Sequence, residues 1–264
     1  MRSRTTYRGL LTDFDGTIHA QNQVVSPSVI TALRRVQDHG IPYGVCTGRQ
    51  FSFVQPFLQE NGFDGVHIVC AGAQLIHSNG SVIRERVIPA DTMQAIADFV
   101  NSTGGYLVLK QTYATYANET ALNANDKHST LAMRPLSEIV NWDTPSFYVG
   151  QVGDDIWTAL ESRTDINLLK QRYRSGKPGY FADGVAPDVS KGSGTEWWFE
   201  YHNLDPAAVI GIGDGENDVD LLQSVGLGLA MENGIPELRA LADAIIPSID
   251  ADGVAWAIQE YFGI

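Results

Sequence analysis

Continuous apolar runs, separated by helical patterns, occur near both ends of this chain and constrain its fold more than any other feature. Strands buried on both faces read as continuous apolar runs, whereas strands with one face in water alternate apolar and polar residues. Strands and helices in alternation predict an α/β fold with a doubly wound parallel sheet. The runs that we assign to this sheet are Gly9–Thr12, Tyr43–Cys46, Val66–Cys70, Ala207–Ile212, Val225–Ala230 and Ala244–Ile246.

The middle of the chain follows a different pattern. Apolar and polar residues alternate in Tyr106–Lys110 and Ser146–Gly150, and helical stretches lie between such segments. This alternation is typical of a sheet with one face against a core and the other in water. We therefore predict a core formed by residues 1–84 and 188–264, with an inserted α+β domain at residues 85–187.

Charge and composition exclude several classes of partner. The formal net charge is −13, which disfavours nucleic acid because phosphate neutralisation needs clustered lysines and arginines. No stretch approaches the ~18 uninterrupted apolar residues that suggest a membrane span. Only a short apolar stretch follows the arginines near residue 1, so no export signal is recognised. We expect a cytoplasmic protein, a monomer or homodimer, that binds neither nucleic acid nor membrane.

Two carboxylates end the first apolar run, in the segment Asp13-Phe14-Asp15-Gly16-Thr17. Side chains two positions apart leave a strand on the same face, ~6.6 Å apart at the usual strand rise. Two such anions are costly unless a cation lies between them or one of them is protonated. Gly16 allows the backbone to turn tightly and to direct N–H groups at a ligand. The segment therefore indicates a reaction centre for a metal ion and an anionic substrate.

A second acidic cluster follows the run at Ala207–Ile212 and consists of Asp214, Glu216, Asn217 and Asp218. If a helix begins near Glu216, Asp214 and Asp218 are one turn apart and face the same way. The alternative is that Asp214 only caps this helix, although a cap needs a single aspartate. Oxygen ligands from Asp13 and Asp214 suit a hard cation, and Mg²⁺ is the natural choice because it binds few carboxylates and keeps several waters.

Two further segments can contact a phosphoryl group. Thr47-Gly48-Arg49 ends the second run, where a hydroxyl and a backbone N–H can bind a phosphoryl oxygen. Lys191 lies just ahead of a helix, where a positive charge is mildly unfavourable without a partner, and the alternative is a solvated lysine. Ligands of open α/β sheets bind beyond the carboxyl ends of the strands, where this threonine loop and both acidic clusters fall.

Taken in this order, these elements resemble the haloacid dehalogenase-like (HAD) superfamily, whose motifs are Asp-x-Asp-Gly-Thr, Thr-Gly-Arg, Lys and Gly-Asp-x-x-Asn-Asp. The insert between Thr47 and Lys191 is at the family's C2 cap position. Segments 228–233 and 252–254 are similar to those of the Cof-type subgroup, which has a C2B cap. The resemblance covers residues 8–84 and 188–264. It implies a Rossmann-like core and a cap domain that sets substrate specificity.

The resemblance also implies a role for each motif residue. Asp13 would attack phosphorus to form an aspartyl-phosphate, and Asp15 would protonate the leaving oxygen and then activate water. Because the ordinary pKa of an aspartate is ~3.9, neighbouring negative charge must raise the pKa of Asp15 for this task. The implied catalytic residues are Asp13, Asp15, Thr47 and Lys191. The implied substrate-binding residues are Gly16, Thr47, Gly48, Arg49, Lys191 and Asn217.

The implied Mg²⁺ site uses the side chain of Asp13, the backbone carbonyl of Asp15 and the side chain of Asp214, with Asp218 as a ligand or a support for the ligands. Mg²⁺ would neutralise charge on the phosphoryl group. The implied activity is the hydrolysis of a small phosphorylated metabolite, with a sugar phosphate as the family expectation. Cations in the cap could contact a second anionic group on the substrate, although most of them are expected to be solvated.

Two alternatives stay open from the sequence. One is a phosphomutase or phosphotransferase with the same intermediate, and the other is a non-catalytic sensor of a phosphorylated metabolite. A sensor is expected to have lost some of the chemical groups, yet Asp13, Asp15, Lys191 and Asp214 are all present. One position departs from the family pattern. Many relatives have Asn-Gly-Ala after the third strand, whereas this chain has Ala71-Gly72-Ala73, so that Ala71 replaces the asparagine.

Overall fold

The computed structural model describes residues 7–20, 24–124, 132–172 and 179–264. Within these ranges the strands are β1 (Gly9–Thr12), β2 (Tyr43–Val45), β3 (Val66–Val69), β4 (Gln74–His77), β5 (Val82–Glu85), β6 (Tyr106–Lys110), β7 (Thr115–Ala117), β8 (Met133–Pro135), β9 (Ser146–Gly150), β10 (Asn167–Arg172), β11 (Tyr180–Val185), β12 (Val209–Gly213), β13 (Leu227–Met231) and β14 (Ala244–Ile246). The α-helices are α1 (Pro27–Asp38), α2 (Phe51–Asn61), α3 (Ala90–Thr103), α4 (Glu119–Asn123), α5 (Asp154–Glu161), α6 (Lys191–His202), α7 (Val219–Gln223), α8 (Pro236–Leu241) and α9 (Gly253–Phe262).

The core contains a parallel sheet in the order β14-β13-β12-β1-β2. Because successive strand residues point to opposite faces, Leu10 packs with α1 and α9, whereas Leu11 packs with α6 and α7. Helices therefore cover both faces, which confirms the prediction of a doubly wound α/β sheet. The assignment of the run Val66–Cys70 to this parallel sheet is wrong, since β3, which lies within this run, belongs to an antiparallel sheet with β4 and β5. A single parallel bridge between Cys46 and Ile68 links the two sheets.

The start of α6 is fixed by a capping box. The Ser190 hydroxyl accepts a hydrogen bond from the Ser193 N–H, and the Ser190 N–H donates to the Ser193 hydroxyl. This reciprocal pair satisfies two backbone donors that a helix start leaves without an intrahelical partner. Lys191 is consequently held as the first residue of the helix rather than ahead of it.

The second sheet has the order β10-β11-β9-β6-β7-β8 and is antiparallel except between β7 and β8. The prediction of one face in water is wrong for its central strands, since β6 and β9 are buried along nearly their whole length. One face packs into the main hydrophobic cluster through Leu107 and Phe147. On the other face α4 packs on Val108, and Lys110 reaches the core.

Three loops of the core meet at one edge of the parallel sheet. Asp13 follows β1, Thr47 lies just beyond β2, and Asp214 follows β12. Because β12, β1 and β2 are neighbours in the sheet, these loops are adjacent at the carboxyl ends of the strands. The domain boundaries at 84/85 and 187/188 stay a prediction. None of the described helices has the length and apolarity of a membrane span.

Candidate active site

A buried lysine joins the first and last motifs of the sequence. The Lys191 side chain is 0% exposed, and its Nζ atom lies 2.5 Å from Asp13 Oδ1 and 2.6 Å from Asp218 Oδ1. Asp13 is 178 residues away along the chain. The alternative of a solvated lysine is therefore wrong, and the unfavourable charge at the start of α6 is offset by two carboxylates.

The second acidic cluster is organised by Asp218. Its Oδ2 atom accepts hydrogen bonds from the N–H groups of Asp214 (2.9 Å) and Gly215 (2.8 Å), while its Oδ1 atom accepts from Lys191. These bonds hold the turn at Glu216–Asp218 that leads into α7. The backbone N–H groups of this turn are thus bound by Asp218, not by Asp214 as the capping alternative required. Asp214 Oδ1 instead accepts a hydrogen bond from the Thr17 hydroxyl at 3.2 Å.

Asp13, Lys191, Asp214 and Asp218 form what we call the buried centre. Burial and the Asp218 and Asp214 carboxylates raise the pKa of Asp13 above its ordinary value, against the opposing effect of Lys191. Burial acts to lower the pKa of Lys191, but Asp13 and Asp218 outweigh it, so the pKa is raised and the ammonium stays charged. The centre therefore combines three acids with one ammonium in a space from which water is largely excluded.

This charge imbalance makes the buried centre suitable for a divalent cation. One carboxylate oxygen from each of Asp13, Asp214 and Asp218 lies within 4.8 Å of the other two. A hard cation with oxygen ligands would relieve the repulsion that raises the pKa of Asp13. The donor set and its burial therefore fit a divalent metal ion with oxygen ligands.

Asp15 is not held beside Asp13 as a strand would hold it. The strand ends at Thr12 and the chain bends at Phe14, so the spacing expected from strand rise does not apply. Gly16 then adopts a left-handed φ of +85°, as expected for a tight turn. The Asp15 carboxylate turns toward the Thr47–Arg49 loop.

Arg49, which the sequence predicted to bind substrate, binds the Asp15 carboxylate in this structure. Its Nε and Nη2 atoms donate to the two carboxylate oxygens of Asp15 at 2.8 and 3.1 Å. Burial acts to raise the pKa of Asp15, but His19 and Arg49 outweigh it and hold the pKa well below its ordinary value. The expectation of a raised pKa of Asp15 is thus not met in this structure, because His19 and Arg49 stabilise its ionised form.

The Thr47–Arg49 loop is anchored by a buried threonine and has close neighbours at Gly48. Thr47 is almost fully buried, and its hydroxyl accepts a hydrogen bond from the Arg49 N–H at 3.1 Å. Gly48 has no room for a side chain, because a Cβ atom there would lie 2.7 Å from Asp183 Oδ2 and 3.8 Å from Asn217 Nδ2. The predicted substrate-binding residues Gly48 and Asn217 are therefore brought together.

The loop after β3 has an unusual backbone at the position that departs from the family pattern. Cys70, Ala71 and Gly72 have φ values of +52°, +57° and +104°. Alanine is uncommon in this region, whereas asparagine and glycine tolerate it. The Ala71 N–H donates to the Thr47 carbonyl at 2.9 Å, so this loop supports the Thr47–Arg49 loop through its backbone.

An ion pair from the inserted segment lies over the same loop, and the sequence did not single it out. Lys110 of β6 and Asp183 of β11 are paired, and Lys110 Nζ also donates to the Gly48 carbonyl at 3.0 Å. Asp15, Arg49, Asp183 and Lys110 form what we call the outer charge chain. Lys110 was only one of several cap cations in the sequence, and nothing local marked Asp183 as its partner.

The comparisons with known proteins identify the family. The model of the haloacid dehalogenase-like hydrolases named Hydrolase_3 matches residues 10–258, which is nearly the whole chain. The chain belongs to the haloacid dehalogenase-like hydrolase family. The resemblance to this family inferred from the four motifs is thereby confirmed.

Relatives in this family match over nearly their whole length. The 5-amino-6-(5-phospho-D-ribitylamino)uracil phosphatase YitU of Bacillus subtilis (strain 168) is 23% identical over 260 residues, covering 96% of each chain. A phosphoglycolate phosphatase of Methanothermobacter thermautotrophicus is 26% identical over 257 residues, covering 97% of this chain and 99% of its own. The chain therefore spans the same unit as these relatives.

Solved structures share the fold. A phosphatase of the HAD superfamily from Bacteroides thetaiotaomicron aligns with a TM-score of 0.83 at 23% identity, covering 100% of this chain and 97% of its own. A sugar phosphatase described as HAD subclass IIB aligns with a TM-score of 0.80 at 22% identity, covering 97% and 99%. The α/β core with its second antiparallel sheet is thus the HAD fold.

Proposed function

We propose that this protein is a Mg²⁺-dependent phosphatase that hydrolyses monoesters of small metabolites through an aspartyl-phosphate on Asp13. The family match and the phosphatase relatives confirm the coarser prediction that the enzyme is a phosphatase. The metal, the intermediate and the substrate class are our proposal. One observation carries it: buried Lys191 bridges Asp13 and Asp218 beside Asp214, so a carboxylate nucleophile, a fixed cation and a cluster of metal-type ligands meet at one point.

The residues proposed to hold Mg²⁺ are the side chains of Asp13 and Asp214 and the backbone carbonyl of Asp15. Asp218 suits a supporting role, because its two oxygens already accept hydrogen bonds from Lys191 and from two backbone N–H groups. Bound Mg²⁺ would supply electrostatic stabilisation of the negative charge on the phosphoryl group. Lys191 would stabilise the same charge as a buried point charge.

The proposed reaction has two displacements at phosphorus. An Asp13 oxygen forms a bond to phosphorus while the ester P–O bond breaks, and Asp15 donates a proton to the leaving oxygen. Water then attacks the phosphorus, Asp15 accepts a proton from it, and the release of inorganic phosphate restores the Asp13 carboxylate. Thr47 and Asn217 are proposed to hold phosphoryl oxygens, with the backbone N–H group of Gly48 and backbone N–H groups near Gly16. The Gly16 N–H itself donates to the His19 carbonyl at 2.8 Å.

The contact between Asp15 and Arg49 must change before Asp15 can donate a proton. In this structure the guanidinium keeps the pKa of Asp15 low and the carboxylate ionised. A phosphoryl dianion is a competing partner for Arg49, and its charge also raises the pKa of a neighbouring carboxylate. Substrate binding is therefore proposed to move Arg49 from Asp15 to the phosphoryl group.

The named relatives act on different substrates, yet they are similarly identical in sequence to this chain. The relative named for a ribitylamino compound and the relative named for phosphoglycolate are 23% and 26% identical to this chain. One leaving group carries several hydroxyls and the other carries a carboxylate. We propose a small phosphorylated metabolite, such as a sugar phosphate, as the substrate class.

The test is a screen of phosphorylated metabolites with Mg²⁺ that measures released phosphate. Chelation by EDTA is expected to abolish release, and Mg²⁺ is expected to restore it. Asp13→Asn is expected to lower turnover by on the order of 10⁴-fold or more, as for other covalent nucleophiles, without changing the circular dichroism spectrum. Normal turnover by this variant, or full activity after thorough chelation, would contradict the proposal.

A second variant separates formation of the intermediate from its breakdown. With an activated ester, Asp15→Asn is expected to gain the mass of one phosphoryl group because the leaving group needs no acid, while hydrolysis of the intermediate is slowed. The peptide that carries the added mass is expected to contain Asp13. An added alcohol that receives the phosphoryl group in place of water would indicate a phosphotransferase instead.

A further inference from the structure

The outer charge chain ends in an ion pair that belongs to the inserted segment. The side chains of Lys110 and Asp183 are 14% and 7% exposed, so water screens their charges poorly. Lys110 Nζ is held by both the Asp183 carboxylate and the Gly48 carbonyl. The pair is thus fixed against the core.

Asp183 is adjacent to the loop proposed to hold the phosphoryl oxygens. A Cβ atom on Gly48 would lie 2.7 Å from Asp183 Oδ2, and Asn217 Nδ2 would be 3.8 Å from the same point. The Asp183 charge also acts on Arg49, whose guanidinium binds Asp15. A group in this position would adjoin the part of a substrate that leaves with the ester oxygen, which Asp15 is proposed to protonate.

Each cation of the two clusters already has a carboxylate partner. Lys191 is paired with Asp13 and Asp218, Arg49 with Asp15, and Lys110 with Asp183. A phosphoryl group can use Lys191 and Arg49, as proposed above. A second anionic group on the leaving side would then meet Asp183 and a lysine that Asp183 already neutralises. A hydroxyl would instead find an acceptor in Asp183 and a donor in Lys110.

From this arrangement we infer that Lys110 and Asp183 are a specificity-determining pair that favours uncharged, hydroxyl-bearing leaving groups and rejects leaving groups that carry a carboxylate. The inference rests on the proposed phosphatase function and adds the chemical class of the leaving group. The two partners act in opposite directions. Loss of the Asp183 charge leaves Lys110 free to attract an anion, whereas loss of Lys110 leaves Asp183 to repel it.

The test compares two esters that differ at one carbon. Hydroxyethyl phosphate ends in CH₂OH and phosphoglycolate ends in a carboxylate, and kcat/KM is measured for both. The wild type is expected to favour hydroxyethyl phosphate by ~10-fold or more, a modest value for one like-charge contact in a poorly screened site. Asp183→Asn is expected to reduce this ratio by ~10-fold, and Lys110→Met is expected to increase it.

Asp165→Asn is the matched control. It makes the same chemical change in the same inserted segment, at a carboxylate that is paired with Arg163 and 46% exposed. The ratio of the two kcat/KM values is expected to stay that of the wild type in this variant. Any shift it produces measures the general effect of removing one negative charge from the protein.

Several outcomes would overturn the inference. A wild type that prefers phosphoglycolate contradicts it directly. If both variants slow the two esters by equal factors, the pair only holds the cap in place and does not discriminate. Release of phosphate with an unchanged ratio refutes this inference and leaves the phosphatase proposal intact. Failure to release phosphate from these and all screened esters refutes both.

Discussion

The buried centre and the outer charge chain take their residues from different parts of the molecule. Asp13, Lys191, Asp214 and Asp218 all lie beside the parallel sheet or at the start of a helix packed on it. The outer chain takes Asp15 and Arg49 from loops of the core, but Lys110 and Asp183 come from the second sheet. The groups proposed for bond breaking can therefore form within the core, whereas the groups proposed for selecting the leaving group exist only where the two sheets meet.

The buried centre is less exposed than the outer charge chain, and this difference gives the largest expected effect on the free energy of unfolding. Lys191→Met leaves two fully or nearly buried carboxylates without their cation, so we expect a loss of about 3–5 kcal/mol in the free energy of unfolding. Lys110→Met, the same change in the outer chain, is expected to cost less, about 1–3 kcal/mol, because that pair retains some contact with water. Urea denaturation measures both values.

Mg²⁺ sharpens the same comparison. A ligand that binds only the folded state stabilises it, and the stabilisation grows with the logarithm of the ligand concentration above the Kd. Mg²⁺ is expected to narrow the difference in stability between Lys191→Met and the wild type, because it neutralises the same carboxylates. The difference between Lys110→Met and the wild type is expected to stay unchanged, because Mg²⁺ stabilises both of these proteins equally. Equal losses of stability in the two variants, or an equal narrowing by Mg²⁺ of both differences from the wild type, would contradict the distinction between the buried centre and the outer charge chain.

The loop after β3, which contains Ala71, gives a smaller expected change in the free energy of unfolding, and this change has the opposite sign. Ala71 has a φ of +57°, which an L-residue adopts at a cost of roughly 1–2 kcal/mol. Ala71→Gly is therefore expected to raise the free energy of unfolding by up to about 1 kcal/mol. Ala73, equally buried with a φ of −72°, is the control, and Ala73→Gly is expected to lower stability. Thermal denaturation of both variants checks the signs, and destabilisation by Ala71→Gly would contradict the account.

The pair of Arg49 and Asp15 gives the smallest effect, and it depends on pH. The pKa of Asp15 is lowered in the folded state, so the pair stabilises the protein above the ordinary carboxyl pKa and loses this effect as the pH falls. Both side chains are more than one third exposed, so Arg49→Met is expected to cost only about 0.5 kcal/mol at neutral pH. The difference from the wild type should shrink below pH ~4, and a difference that is constant with pH would contradict this assignment.

Much of the core was predictable because its signals are local. Buried parallel strands need continuous apolar runs, and the Ser26-Pro27 start of α1 combines a cap with a residue suited to the first turn. Asp13 and Asp214 were placed at one edge because the carboxyl ends of neighbouring parallel strands lie together. Lys191 was a weaker signal. The sequence singled it out only because a positive charge near the start of a helix is unfavourable without a partner.

The remaining features depend on contacts that no local pattern carries. Lys110 and Asp183 are 73 residues apart, and each resembles an ordinary charged residue of a surface strand. The second sheet appeared to have a wet face because alternation reports the residue types, not what packs on them; α4 and the core cover that face. Arg49 belongs to the Thr47–Arg49 loop that the sequence singled out, but its pairing with Asp15 is set by a bend after β1 that the sequence does not reveal.

The residues between β3 and β4 touch both connections to the inserted segment. The Arg86 N–H donates to the Ala73 carbonyl at 2.9 Å, where the chain leaves the core. Gly72 lies so close to the returning chain that a Cβ atom there would be 1.9 Å from the Ser190 carbonyl oxygen. The chain that leaves the core and the chain that returns to it thus meet at two consecutive residues, Gly72 and Ala73. An engineer who exchanges the insert for that of another family member therefore has one short stretch, Gly72 and Ala73, to match at both connections.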